Sequence, residues 1–409
     1  MNYISRHMES QILDASKYYP VVMVCGQRQV GKSTMLHHLR EEKRRYVSLD
    51  DAYARSLAER DPVLFFETYG SPLLIDEFQR VPSILTEIKN IVDRKALRGE
   101  KNAGMYWLTG SQKFRMMKNV SESLAGRVAV FDLAGLSTAE IEGRPAEWFH
   151  PDLNTLRGRA KSHTTKDIHQ LYSRIFQGGM PVPVTEPVDR DRYYADYVNT
   201  YLERDIHDLS QVGKLREFYD FLVFMAARTG RELKYNEISN AIGISSPTAK
   251  HWVSILESSG VIFILRPYYS NLTSRLVKTP KVYFMDTGLA AYLCRWPNAE
   301  TLENGAMDGA FLETYVVSEI VKSYYNAGKQ PDLYYYRDID QKEIDLLIAE
   351  GDCLYPIEIK KAKTPHAPDK HFGVLKKFNM NVQPGIIICM CDEMLPYNRQ
   401  AWYFPVSAL

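Results

Sequence analysis

The stretch at residues 21–36 constrains the fold of this chain more than any other. An apolar, β-branched segment, VVMVC, is followed by the run GQRQVGKST and then by a helical pattern. In a loop with the spacing G-x₄-G-K-S, the glycines can adopt backbone conformations closed to other residues, so that successive amide groups point at a triphosphate. The stretch therefore predicts a buried strand, a phosphate-binding loop and a helix. The alternative is an ordinary glycine turn.

The residues of this loop have predicted roles toward ATP and Mg²⁺. Lys32 would reach the β- and γ-phosphates, Ser33 would offer its hydroxyl to Mg²⁺, and the helix that follows would direct the positive end of its dipole at the phosphates. The predicted nucleotide-binding residues are Gly26, Gln27, Arg28, Gln29, Val30, Gly31, Lys32, Ser33, Thr34 and, on a later strand, Asp76.

Two acidic residues end the apolar segment SPLLIDE at positions 71–77. In a nucleotide hydrolase Asp76 would hold Mg²⁺, and Glu77 would orient or polarise the attacking water. A strand that ends in two acids can also be merely solvated. The phosphate-binding loop upstream is what favours the catalytic role.

Two more residues are candidates for the same reaction. The segment MYWLTGS ends in polar side chains, and Ser111 could touch the γ-phosphate or its water; a strand cap is the alternative. Arg127 precedes another predicted strand and suits an arginine finger donated to the nucleotide of a neighbouring subunit. A surface salt bridge is the alternative for Arg127.

Length, charge and cysteine usage limit the class of protein. The chain has 409 residues, enough for two or three domains, and its formal net charge is +1. A charge this small gives no global attraction to nucleic acid, so a DNA contact must come from a local patch. The five cysteines lack zinc-like spacing, and the sequence contains neither a signal-like apolar core nor a membrane-length apolar run. We therefore predict a reduced, cytoplasmic protein with no membrane partner.

Residues 214–265 predict a helix, a second helix, a turn, a third helix and a strand. Gly243 falls at the turn, and Ser245 and Ser246 would cap a helix from Pro247. This order is typical of a helix-turn-helix with a wing strand. The exposed recognition face would consist of Ser246, Thr248, Lys250 and His251. The helix is only mildly basic, so a protein-interaction or lid module is an equal alternative.

The C-terminal part predicts a helix followed by strands that carry acidic residues. Alternation places Asp345 and Leu347 on one face of a strand, and Glu358 and Lys360 on one face of the next. A short hairpin would bring these faces together, with Asp345 and Glu358 binding Mg²⁺ and Lys360 positioning or activating a water. Glu313, on the preceding helix, could complete the metal shell. Glu-x-Lys is also ordinary on a solvated strand.

Several motifs together resemble one family. GQRQVGKST, LLIDEFQRVP, LTGSQ, ESLAGRV and DLAGLSTAEI are similar to motifs of the bacterial and archaeal AAA-type ATPases that carry a C-terminal domain of unknown function. QGGMP, YLERDI, KTPKVYFMDTGLAAYL, EIDLLI and PIEIK extend the resemblance over essentially the whole chain. The last two lie in a segment that resembles the PD-(D/E)xK nucleases, in particular the archaeal Holliday-junction resolvases, with Ile344 where proline is usual.

The resemblance implies an α/β multidomain protein. Its parts would be a P-loop AAA-type core with a parallel sheet in residues 1–150, a loop and small helical lid in 151–212, a winged-helix-like segment in 213–272, and a nuclease-like domain with a restriction-endonuclease-like fold in 273–409. The polar stretch 142–165, which spans the boundary between the first two parts, predicts a loop or insertion.

Two functions remain open from the sequence. In the first, a homo-oligomeric ring, for which a hexamer is one arrangement, couples ATP hydrolysis to the binding of DNA and to its Mg²⁺-dependent cleavage. In the second, the C-terminal domain is catalytically silent, and the protein is an ATP-dependent switch that remodels or regulates protein partners.

Overall fold

The computed structural model describes residues 3–110, 120, 123–201, 215–269 and 279–409. The strands are β1 (Val21–Cys25), β2 (Arg45–Ser48), β3 (Leu73–Asp76), β4 (Tyr106–Gly110), β5 (Val128–Asp132), β6 (Arg231–Glu232), β7 (Ile262–Pro267), β8 (Lys281–Phe284), β9 (Leu333–Arg337), β10 (Glu343–Glu350), β11 (Cys353–Ile359), β12 (Asn381–Val382), β13 (Gly385–Cys389), β14 (Leu395–Asn398) and β15 (Ala401–Pro405). The helices are α1 (Glu9–Ala15), α2 (Lys32–Leu39), α3 (Ala52–Arg60), α4 (Pro62–Tyr69), α5 (Ile84–Leu97), α6 (Thr138–Ile141), α7 (Leu153–Ser162), α8 (Ile168–Gln177), α9 (Pro181–Thr185), α10 (Arg190–Tyr201), α11 (Leu215–Ala227), α12 (Tyr235–Ile242), α13 (Ser246–Ser258), α14 (Thr287–Leu293), α15 (Ala299–Glu303) and α16 (Asp308–Asn326).

The N-terminal part is built on a parallel sheet of five strands in the order β2-β3-β4-β1-β5. Every residue of β1 is buried, as expected for a β-branched strand that is covered on both faces. Because β4 lies between β1 and β3, the carboxyl ends of these three strands meet at one edge of the sheet. The predicted phosphate-binding loop, Asp76 and Thr109 all lie at that edge. The α/β architecture with a parallel core is confirmed.

Alternate residues of β1 face two different hydrophobic cores. Val21 and Met23 pack in a core beneath α3, α4 and α5. Val22 and Val24 belong to a second core that continues without a break through Trp252 of α13 and into α16 and the C-terminal sheet. The parts of the chain are therefore packed against one another through shared apolar side chains.

The stretch predicted as a loop or insertion at residues 142–165 contains a helix, so that prediction is wrong for α7. Asp152 accepts hydrogen bonds from the amides of Asn154 (2.9 Å) and Thr155 (3.2 Å) and so caps the first turn. Leu156 is fully buried in the shared core. The polar composition concealed this helix because, besides Leu156 and the cap, the contact that docks it is made by a charged residue: the buried Arg159 donates a hydrogen bond from Nε to the carbonyl oxygen of Ala408 (2.6 Å).

The middle of the chain follows the predicted order of helices and turn. Gly243 has φ +75° and ends α12, and Ser245 accepts a hydrogen bond from the amide of Thr248 (3.2 Å) and caps α13. β7 then pairs with β8 in antiparallel fashion, with Ile262 opposite Phe284. β8 lies on the C-terminal side of the boundary predicted at residue 272, but its hydrogen bonds join it to the strands before that boundary.

The C-terminal strands continue this hairpin into one sheet of ten strands, in the order β14-β15-β13-β11-β10-β9-β7-β8-β6 with β12 beside β11. The connection is the parallel pairing of β7 with β9, in which Arg266 lies opposite Tyr334. α16, a helix of 19 residues, is buried over most of its length against this sheet and the N-terminal part. Within the described ranges, no helix is long and apolar enough to span a membrane.

We assumed that successive side chains of β10 alternate strictly between the two faces of the sheet, and this assumption is wrong. The pairing of β10 with β9 changes register between Ile344 and Leu347, and these two residues pack in the same cluster, whereas Leu346 and Ile348 belong to the opposite core. Position 345 therefore cannot be assigned to a face by counting from Leu347, because a bulge inserts an extra residue between them.

Candidate nucleotide site and C-terminal carboxylate site

The phosphate-binding loop runs from the end of β1 to the start of α2. Gly26 has φ +143° and Gly31 has φ +90°, and Gln29 also has a positive φ of +61°. A Cβ atom on Gly26 would lie 2.0 Å from the carbonyl oxygen of Leu133. The positive φ and the lack of room for a Cβ atom therefore both require glycine at position 26, as the spacing of the motif predicts.

Lys32 lies inside this loop. Its side chain is almost fully buried, and its Nζ donates hydrogen bonds to the carbonyl oxygens of Gly26 (3.0 Å) and Gln27 (2.7 Å). Burial lowers the pKa of Lys32 to about 8, although the nearby Glu77 carboxylate favours the charged amine. The loop thus holds the lysine amine among its own backbone groups, where the phosphates are predicted to bind.

This lowered pKa predicts a pH dependence of nucleotide binding. A phosphate chain favours the charged form of Lys32, which the free protein holds at pH values below about 8. Above that pH, binding must be accompanied by proton uptake, so we expect affinity to fall by up to about tenfold per pH unit.

The Kd of a slowly hydrolysed ATP analogue, measured by fluorescence from about pH 7 to about pH 9.5 at constant ionic strength, checks this expectation. Lys32→Arg is the matched control, because its guanidinium stays charged over the whole range and should give no such slope. A wild-type Kd that is constant across the range would contradict the assignment.

Asp76 and Ser33, the two predicted Mg²⁺ ligands at the nucleotide, are adjacent. Ser33 Oγ donates a hydrogen bond to Asp76 Oδ1 (2.8 Å), and Tyr46 donates to Asp76 Oδ2 (3.2 Å). Thr109, at the end of β4, also donates to Asp76 Oδ1. A carboxylate and a hydroxyl are oxygen ligands of the kind that Mg²⁺ prefers, so this pair fits the ion. Ser111 lies outside the described residues.

Glu77 follows Asp76 in a left-handed backbone conformation, with φ +54°. Such a conformation is uncommon for a residue with a side chain and occurs where the surroundings impose it. Burial raises the pKa of Glu77, while Lys32 and Arg28 act in the opposite direction. Gln79 donates a hydrogen bond to its carboxylate, and Glu77 lines the same cavity as the phosphate-binding loop. Glu77 therefore lies beside the predicted phosphate site, and its role toward a water stays a prediction.

The cavity over the loop has a volume of about 580 Å³. Its walls include residues that the sequence did not indicate, namely Tyr3, Ile4, Arg6, Leu136, Pro181, Val182, Thr185 and Thr200. The ring of Tyr3 stacks on His38 of α2 at 4.0 Å between centroids, and Gln27 donates a hydrogen bond to the hydroxyl of Tyr197 (2.9 Å). The N-terminal segment and residues of α9 and α10 therefore enclose the loop. No local pattern could reveal them, because tertiary packing brings them there.

Arg127 contacts a carboxylate of its own chain. Its Nε and Nη2 lie 2.6 and 3.0 Å from the two carboxylate oxygens of Asp93 on α5. Both side chains are partly exposed, which matches the surface salt bridge that the sequence left as the alternative. A role toward a neighbouring subunit stays a prediction.

The C-terminal candidates Asp345, Glu358 and Lys360 come together. Lys360 Nζ lies 2.5 Å from Glu358 Oε1 and 3.5 Å from Asp345 Oδ2, and the amide of Ile359 donates to Asp345 Oδ2 (2.8 Å). Burial, followed by the neighbouring Asp345, raises the pKa of Glu358 to about 8. Two largely buried carboxylates are oxygen donors of the kind that a divalent cation prefers, although Lys360 pairs with both of them here. Mg²⁺ binding at Asp345 and Glu358 stays a prediction.

Glu313 lies in a neighbouring polar cluster. Its Oε1 accepts hydrogen bonds from Lys281 (3.0 Å) and Tyr283 (2.6 Å), both on β8, and Lys281 also lies 2.6 Å from Glu343. Burial and Asp345 raise the pKa of Glu313, while Lys281 acts in the opposite direction. In the part of the chain that the structure describes, no three His, Cys, Asp or Glu residues are arranged to hold one metal ion. Glu313 as a third ligand thus stays a prediction that requires it to leave Lys281.

The predicted recognition face of α13 is only partly available. Ser246 is hydrogen-bonded to Ser239 (3.2 Å) and Asn236 (3.2 Å) inside the helix-turn-helix. Lys250 and His251 are exposed. These two residues are therefore the side chains of the predicted face whose nitrogen donors are free to reach a phosphate.

Comparison with known proteins gives matches over most of the chain. Residues 18–142 match a family model described as an AAA domain, and residues 168–300 and 308–409 match two domains of unknown function, DUF8612 and DUF4143. Uncharacterized proteins of Mycobacterium tuberculosis and Mycobacterium bovis are each 26% identical over 349 residues, which cover 85% of this chain and 71% of theirs. Among solved structures, a Walker-type ATPase of Pyrococcus abyssi matches with 14% identity and a TM-score of 0.43, covering 71% of this chain and 96% of its own.

Proposed function

We propose that this protein, an ATP hydrolase with an AAA-type P-loop domain in residues 18–142, couples ATP hydrolysis to the binding of DNA and to its cleavage at Asp345 and Glu358. The observation that carries the proposal is the convergence of Asp345 on β10, Glu358 on β11 and Lys360 directly after β11. In the same molecule, Lys32, Ser33 and Glu77, to which we assign roles in ATP hydrolysis, line one cavity.

The residues around the phosphate-binding loop would have different roles in the hydrolysis of ATP. Lys32 and the loop amides would bind the β- and γ-phosphates, and Ser33 and Asp76 would hold Mg²⁺, which neutralises charge on the phosphates when bound. Glu77 would direct a water at the γ-phosphorus and take up its proton as the bond to the bridging oxygen breaks. The products are ADP and inorganic phosphate.

The C-terminal residues suit the hydrolysis of a phosphodiester. Asp345 and Glu358 would hold Mg²⁺, which polarises the phosphate and favours ionisation of a water when bound. Lys360 would position that water for attack on phosphorus, because its Nζ lies beside both carboxylates. The side chain of Lys360 is 40% exposed, whereas Glu358 is 9% exposed, so a substrate would approach from the lysine side.

Direct contacts support coupling between the two sites. Leu136 lines the nucleotide cavity, and its carbonyl oxygen accepts a hydrogen bond from Lys322 Nζ of α16 (3.2 Å). The amide of Thr138 donates to Glu319 on the same helix (2.7 Å). If residues 136–138 move when the nucleotide is exchanged, these hydrogen bonds would therefore move α16 as well. α16 packs beneath the C-terminal sheet.

We assign the DNA contact to the middle of the chain. The order α11, β6, α12, α13, β7, β8 supports the winged helix that we propose for this segment, in which Lys250 and His251 would contact the phosphate backbone. The preceding helices α9 and α10, which enclose the nucleotide cavity, would act as the small helical lid. The partly exposed Arg127 would reach a neighbouring nucleotide in a homo-oligomeric ring after leaving Asp93.

A second candidate function rests on the same carboxylates. Lys360 already pairs with both Asp345 and Glu358, so the cluster is neutralised in part without a metal ion. In that case the C-terminal part would be a silent interaction module, and the protein would be an ATP-dependent switch for protein partners.

An assay on branched, single-stranded and duplex DNA, with and without ATP, separates the two functions. We expect binding in Ca²⁺ and strand cleavage in Mg²⁺ for at least one of the three substrates, because Ca²⁺ satisfies the carboxylates but supports this chemistry poorly. ATP hydrolysis, measured in the same preparation, is the control for an intact protein. An active ATPase that binds none of the three DNAs would overturn the proposal and favour the switch.

A further inference from the structure

We propose that Arg6 is a positioning residue of the nucleotide site, whose buried guanidinium fixes the phosphate-binding loop and holds the N-terminal segment as a wall of the cavity. Arg6 lies outside every motif that the sequence indicated. It is nevertheless 5% exposed, and a charged side chain is seldom buried to this extent unless its donors are paired.

The guanidinium of Arg6 joins three segments. Nη1 donates to the carbonyl oxygen of Val30 in the phosphate-binding loop (2.9 Å), and Nη2 donates to the carbonyl oxygen of Ala134, after β5 (2.8 Å). Nε donates to Glu140 on α6 (3.0 Å). Only arginine offers a planar fork with donors in several directions, so lysine could not make these contacts together.

Glu140, the partner of Arg6, is itself held in place by hydrogen bonds. Its side chain is fully buried and also accepts hydrogen bonds from the amides of His7 (2.9 Å) and Ser137 (2.8 Å). Because Glu140 neutralises Arg6 at close range, the guanidinium contributes little net attraction to a triphosphate. Its role is therefore to hold backbone groups in place.

The contact with Val30 falls where the loop turns. Gly31, the next residue, has φ +90°, and a Cβ atom there would lie 4.0 Å from Arg6 Nη1. Holding the carbonyl of Val30 sets the plane of the Val30–Gly31 peptide, whose amide belongs to the phosphate cradle. Amides already oriented before the nucleotide arrives need no reorganisation on binding, which favours affinity.

Arg6 also anchors the segment that precedes it. Its own amide donates to Glu9 Oε1 (2.6 Å), which also accepts a hydrogen bond from the hydroxyl of Tyr3 (2.6 Å). Tyr3 in turn stacks on His38, and Tyr3 and Ile4 line the cavity. Loss of the Arg6 contacts would therefore loosen both the loop and this wall.

The test is Arg6→Lys in the full-length protein. It keeps the positive charge but loses the bridging donors, so we expect the Kd for ADP and the KM for ATP to rise about tenfold to a hundredfold, with a smaller change in kcat. Arg45→Lys is the matched control, because Arg45 also donates to two backbone carbonyls, those of Thr68 and Tyr69, but on the exposed surface. That variant should bind and hydrolyse ATP like the wild type.

A residue that only stabilised the fold would lower the thermal midpoint and leave the Kd of the folded protein unchanged. Wild-type Kd and KM in folded Arg6→Lys would therefore overturn the proposal. If this variant does not fold, Arg6→Met with Glu140→Met removes the ion pair as a whole, since a buried pair can often be replaced by apolar side chains without loss of stability. The same rise in Kd is expected there, and wild-type binding would again refute the role.

Discussion

Replacing Glu77 by glutamine is expected to leave ATP bound and to lower its hydrolysis by about 10²- to 10⁴-fold. Glutamine keeps the size of the side chain, but its neutral amide cannot take up a proton from the attacking water. Burial already raises the pKa of Glu77, which makes this carboxylate a better proton acceptor than an exposed one. Phosphate release gives kcat, and equilibrium binding of labelled ATP gives Kd.

Two variants make this result specific. Glu67→Gln changes an exposed glutamate of α4 and should hydrolyse ATP at the wild-type rate. Lys32→Ala should instead lose most nucleotide binding, because the triphosphate would then face the backbone amides alone. Turnover at the wild-type rate in Glu77→Gln would exclude Glu77 from the chemistry.

Asp345→Ala and Glu358→Ala are each expected to abolish DNA cleavage while ATPase activity and the thermal midpoint stay nearly unchanged. The two carboxylates repel each other, as the raised pKa of Glu358, caused by burial and by Asp345, indicates. Removing either one relieves this repulsion, so the fold loses little without a metal ion. Lys360→Ala should retain metal binding, measured by calorimetry with Ca²⁺, and lose cleavage.

Asp352→Ala is the matched control for this pair. Asp352 is an exposed acid on the turn between β10 and β11, at the opposite end of the same hairpin. It should leave cleavage intact. Cleavage that survives in Asp345→Ala, or that is lost equally in Asp352→Ala, would contradict the assignment of the site.

The spacing of residues in the sequence was sufficient to predict a site where its functional groups are close in sequence. The phosphate-binding loop follows from the fixed spacing of Gly26, Gly31 and Lys32. The meeting of Asp345 with Glu358 follows from a short hairpin, and it holds although the bulge in β10 makes the assumed alternation wrong.

Contacts between segments that are distant in the sequence could not be predicted from local patterns. Arg6 is 134 residues from Glu140, and no pattern within either segment indicates that the two side chains are in contact. Pro181 and Val182 likewise reach the nucleotide cavity through packing of α9 on the N-terminal part. The helix α7 was missed because it is docked by a cap, by Leu156 and by the buried Arg159, whose hydrogen-bond partner Ala408 is 249 residues away in the sequence.

The parallel pairing of β7 with β9 limits how this protein can change during evolution. One sheet crosses from the segment that carries β7 and β8 into the C-terminal part, and α16 is buried between that sheet and the N-terminal part. A recombination event near residue 308 would therefore expose apolar side chains on both products. The C-terminal part is thus expected to be inherited together with the segment that carries β7 and β8. Substitutions on α16 should then be followed by compensating ones across its packing partners, so that an ATPase of this design diversifies as a whole and exchanges its C-terminal part only rarely.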